Sequence, residues 1–119
     1  MASMLSLGPK LFRTRDPARD ANTDMERLMS VRRAIAEAIA GASAEKQGLQ
    51  RRVDLHYAQA TSLLDNSGAY GERSDADEKS IAAAEADAAR ATARIGQVDL
   101  QIAGLNAMLV DLDRIGSAP

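Results

Sequence analysis

From Ile81 onward the chain repeats apolar residues at alternating spacings of three and four, without a skip. Ile81, Ala84, Ala88, Ala91, Ile95, Val98, Ile102, Leu105, Leu109 and Leu112 follow one another in this way. That spacing puts them on one side of an α-helix, and its persistence over successive heptads marks a coiled-coil seam. An earlier run keeps the same rhythm with interruptions: Met25, Leu28, Arg32, Ile35, Ile39, Ala42, Lys46, Leu49, Val53, His56, Ala60 and Leu63. Arg32, Lys46 and His56 stand on the seam itself. Long cationic stems can lie along apolar surface while their heads reach water.

Start and stop signals bracket the two runs. Thr23-Asp24-Met25-Glu26 fits a capping box, and Ser74-Asp75-Ala76-Asp77 is a weaker version with acids suited to the positive end of a helix. Between them "DNSGAYGERS" is rich in turn formers. Gly116 and Pro119 follow the second run. The pattern predicts an all-α protein with helices over about 23–65 and about 75–114, joined by a loop over about 66–74. Residues 1–21 form an N-terminal arm or tail, residues 22–114 a hairpin domain and residues 115–119 a C-terminal tail. The short connection makes the pair an antiparallel coiled-coil hairpin suited to assembly into a larger helical bundle. Folding the chain about the loop sets Leu63 beside Ile81, Val53 beside Ala91, Leu49 beside Ile95 and Ile35 beside Leu109. A break into three helices would fall at "GASAEKQG" (41–48), where each interior glycine costs about 1 kcal/mol relative to alanine. The rhythm passes through that segment unshifted and without proline, so one continuous helix is expected.

The second helix carries a further stripe on its other side: Ala82, Ala86, Ala89, Ala93, Gly96, Leu100, Ala103, Ala107 and Val110. A two-stranded hairpin needs one apolar seam, and its outer face is normally charged. Alanine is also the best helix former and tolerates exposure, which is the plain explanation of the stripe. The sharper one is that a second copy or a partner helix lies against it, since small residues allow close approach.

Composition narrows the chemistry. The 119 residues include one Phe, two Tyr, no Trp and no Cys. A core without aromatics has to be assembled from many small aliphatic contacts, which suits a thin helical object. Without cysteine there is no disulfide framework and no thiolate metal site. The net charge is −2, with +2 on residues 1–21, zero on 22–65 and −2 on each of 66–79 and 80–114. A neutral to acidic body argues against direct nucleic-acid binding, although Arg32-Arg33 and Arg51-Arg52 are basic pairs. No apolar run is long enough for a membrane span. His56 is the one histidine; Asp54 lies elsewhere on its helix and Glu85 is a possible but unremarkable neighbour, too little for general-base catalysis. Read from Asp65, the loop fails as an EF-hand, with Tyr70 where glycine is required and Ala76 where glutamate is required.

Residues 4–20, "MLSLGPKLFRTRDPARD", combine apolar anchors (Leu5, Leu7, Leu11, Phe12) with basic residues (Arg13, Arg15) and two helix-interrupting prolines. They read as a docking arm or as a frayed tail. The expectation is a non-enzymatic structural or assembly protein, without metal, cofactor or small-molecule substrate. Its partners would be protein: further copies of itself, or a larger assembly of virion, phage or secretion type. The alternative is a regulatory adaptor or chaperone that binds a partner helix on the alanine face. The expected location is the cytoplasm or the interior of such an assembly.

Overall fold

The computed structural model describes residues 16–70 and 74–117, the side chains of 66–70 excepted. It is an extended antiparallel hairpin of two helices, α1 (Pro17–Tyr70) and α2 (Asp75–Ser117). Their 54 and 43 residues correspond to about 80 Å and about 65 Å of helix. The helix runs unbroken through 41–48, as the uninterrupted rhythm predicts. Gly41 faces open space, and a side chain at Gly48 would meet nothing closer than the Arg51 guanidinium at 3.8 Å, so neither glycine is needed for a close approach.

α1 starts earlier than the Thr23 signal. Asp16 caps it: the Ala18 amide donates to Asp16 Oδ1 at 3.1 Å and the Asp20 amide to the Asp16 carbonyl at 2.9 Å. Pro17 therefore occupies the first helical position, where its fixed φ helps and its missing N–H costs nothing. Thr23 is an interior residue, and its hydroxyl donates backward to the Arg19 carbonyl at 3.0 Å. At the other end α1 continues to Tyr70, beyond the expected stop near 65, because the hairpin register sets the beginning of α2 level with this last turn. α2 begins as expected at Ser74, whose Oγ accepts the Asp77 amide at 3.1 Å. It runs on to Ser117 rather than stopping near Arg114, with the Ser117 hydroxyl donating to the Arg114 carbonyl at 3.3 Å.

The seam closes in the expected register. Among the described residues the buried apolar set is Ile35, Val53, Ala60, Ile81, Ala84, Ala88, Ala91 and Val98. Leu28, Ile39, Leu49, Leu63, Ile95, Ile102, Leu105, Leu109 and Leu112 are half-buried along the same line. At the open end, a Cβ on Gly116 would stand 3.7 Å from Leu28 Cδ1, which continues the register to its last turn.

Burial is graded along the hairpin. Toward the loop the α2 seam is mostly alanine, which lets the helices approach closely and seals Ala88 and Val98 completely. Toward the open end the seam is leucine on α2, and two helices cannot surround side chains of that size. From Pro17 to Arg27, α1 runs on past the level of Gly116 with its seam side uncovered; Met25 there is 59% exposed.

Candidate functional site

Interhelical ion pairs hold the two flanks of the seam. On one flank Lys46 Nζ meets Asp99 Oδ1 at 2.7 Å, and Arg32 pairs with Asp113. Both cations start on the seam and carry their charge outward, as their stems allow. On the other flank Arg94 grips Glu45 through Nε–Oε2 at 2.8 Å and Nη2–Oε1 at 3.2 Å. The hydrogen bonds from Arg94 hold the Glu45 carboxyl below its ordinary value, and the same bonds raise Arg94. All these groups are substantially solvent-exposed, so they set register more than they add stability.

The loop-side half offers a groove with ionisable walls, about 430 Å³, lined by Leu49, Arg52, His56, Asp87, Arg90 and Arg94 among others. His56 is half-buried there, and the carboxylate sharing the groove is Asp87 rather than Glu85. Asp87 is paired with Arg90 one turn away.

The second stripe lies on the surface throughout. Ala82, Ala86, Ala89, Ala93, Gly96, Ala103 and Ala107 are exposed, and Leu100 and Val110 are 77% and 52% exposed. Nothing stands within 4 Å of a Cβ built on Gly96 or Gly104. The proposed arm residues Leu5, Leu7, Leu11, Phe12, Arg13 and Arg15 lie outside the described residues.

A further apolar surface was not singled out from the sequence. Val31 lies two heptads before Glu45, and Met108 two heptads after Arg94. The Glu45–Arg94 grip therefore brings Val31 and Met108 level on one flank, with Ile115 one heptad further. Val31, Met108 and Ile115 are 44%, 51% and 62% exposed. Around the end of α2 this surface opens into a groove of about 570 Å³, walled by Met25, Leu28, Met29, Leu112 and Ile115 among others. The seven-residue spacing Met108–Ile115 was the available signal. It was masked because α2 bears two other apolar lines, and three lines cannot be ranked without knowing which one faces α1.

Among the described residues no helix is long and apolar enough to cross a membrane. No protein-family model matches the sequence, and no curated protein or solved structure matches it either.

Proposed function

We propose that this chain is a non-enzymatic assembly element, a hairpin that associates with further copies of itself through the open half of α2. The observation that carries the reading is where the uncovered apolar side chains sit. Of the ten large apolar residues exposed among the described residues, six (Met25, Met29, Val31, Met108, Val110 and Ile115) belong to the open half. Leu105, Leu109 and Leu112 in the same half are sealed on one side only. Each methylene withdrawn from water is worth about 0.8 kcal/mol. A second pair of helices packed there would complete a four-helix core that one hairpin leaves open. Ala103 and Ala107, beside Val110, let the incoming helix approach closely. In this reading the chain works inside a larger protein assembly of virion, phage or secretion type.

Light scattering on the full chain across a concentration series tests the proposal. The expected result is a discrete mass of two or more chains. A single-chain mass at every concentration overturns self-association and transfers the surface to a foreign helix, as the adaptor reading requires.

A further inference from the structure

We propose that the groove at the open end is the seat of the chain's own N-terminal segment, with Leu11 and Phe12 packed on Met25, Leu28 and Met29. The groove exists because α1 outruns α2: its seam side continues through Met25 after α2 has stopped at Ser117. Met25 and Met29 are left 59% and 53% exposed, and Leu28 beneath them is half-covered by the end of α2.

The N-terminal segment meets the geometric requirement. It joins the structure at Asp16, at the same end of the hairpin, and Asp16 leaves the helix axis because it precedes Pro17. Asp16 to Met25 is nine helical residues, about 13.5 Å. Four extended residues span about 13 Å, so a strand returning from Asp16 brings Phe12 level with Met25 and Leu11 toward Met29.

Charge complementarity points the same way. Residues 1–15 carry Lys10, Arg13 and Arg15 and no acid, which leaves −5 on the remainder of a chain whose total is −2. Asp24 lines the groove and is shared there with Arg27 at 3.5 Å. Methionine suits the seat, since its flexible thioether packs well against an aromatic ring. This inference assigns Met25 and Met29 to the segment and leaves Val31, Met108, Val110 and Ile115 for association, so a chain can close its own groove as a monomer or within an oligomer.

Phe12 is the one phenylalanine of the chain, so its ring signals are unambiguous. In the full chain with 13C-labelled methionine methyls, nuclear Overhauser contacts are expected between the Phe12 ring and the methyls of Met25 and Met29. Those methyls should also shift upfield. Phe12→Leu should remove the shift while keeping the groove closed, and Leu11→Ser with Phe12→Ser should open it. Opening is read as several-fold faster peroxide oxidation of Met25 and Met29 at unchanged helicity. Absence of the contacts, or equal oxidation in wild type and the double variant, overturns the proposal. Contacts found solely between differently labelled copies in a mixed sample overturn it too, by showing a segment exchanged between chains. The mass measured above does not enter any of these readouts.

Discussion

Arg94 on α2 and Glu45 on α1 meet fork to fork, Nε to Oε2 at 2.8 Å and Nη2 to Oε1 at 3.2 Å. The third guanidinium nitrogen, Nη1, donates to Gln97 Oε1 at 3.2 Å, which fixes the plane of the fork. A planar donor pair accepts a carboxylate in one orientation, so the contact favours a single register of the two arms.

A pH dependence follows from that pair. Hydrogen bonds from Arg94 hold the Glu45 carboxyl below 4.5, the ordinary value it regains on unfolding. The folded state thus binds the proton less readily, and the contribution is fully present above the unfolded value. It is lost as pH falls through the folded one. Thermal melts by circular dichroism from about pH 7 to about pH 3 should show wild type above Glu45→Gln at neutral pH. The gap should narrow below pH 4.5 and close at the acid end. A constant gap would show that Glu45 contributes by packing rather than charge.

Neighbouring alanines should respond in opposite ways to the same substitution. Ala88 is completely buried and Ala89 is exposed. Ala88→Leu puts a large side chain where the seam is fully closed and should cost about 1–3 kcal/mol. Ala89→Leu adds an exposed side chain of good helix propensity and should change stability by less than about 0.5 kcal/mol. Val98→Ala, at the most deeply buried large position, should cost about 2 kcal/mol. Denaturant unfolding of the three variants measures all of this. Equal effects at Ala88 and Ala89 would contradict the register.

The seam was legible because it is redundant. Ile81, Ala84, Ala88, Ala91 and Val98 repeat one instruction, and their burial follows it. The beginning of α1 was not, because two cap signals compete within a few residues. Thr23–Glu26 has the right letters, but Asp16-Pro17 lies upstream and starts the helix first, turning Thr23 into an interior residue. The end of α1 is a tertiary result, since turn formers such as Asn66 and Gly68 are helical where the last turn of α1 lies level with the beginning of α2. The groove at the open end arises from a mismatch between the two helix lengths, and no local pattern encodes a difference of that kind.

The two caps should differ in what their loss does. Asp16→Ala and Ser74→Ala each remove a side-chain acceptor for a first-turn amide, worth about 1 kcal/mol of local helix stability. The turn after Asp16 has no α2 beside it, so it should open without unfolding the seam. The turn after Ser74 leads directly into buried Ile81. Hydrogen exchange should speed up in residues 17–24 for Asp16→Ala with an unchanged melting temperature, whereas Ser74→Ala should lower the melting temperature itself. Cooperative loss in both variants would mean that the N-terminal turns of α1 unfold together with the seam.

The position of the association surface can be resolved by charge. Leu100 is the most exposed large residue of the alanine stripe, at 77%, and Val110 marks its open-half end at 52%. Glutamate is a good helix former, so Leu100→Glu and Val110→Glu should leave helicity unchanged. A carboxylate buried against another helix without a partner is costly enough to disperse a small bundle. If association uses the open half, Val110→Glu and Met108→Glu should each reduce the mass toward that of one chain, while Leu100→Glu should retain the wild-type mass. The reverse result would move the contact to the middle of the stripe, and the alanines from Ala82 to Ala93 would become the approach surface of the partner. The half-buried leucines favour the first outcome, because Leu105, Leu109 and Leu112 lie beside Met108 and Val110, whereas the seam behind Leu100 is already closed at Val98.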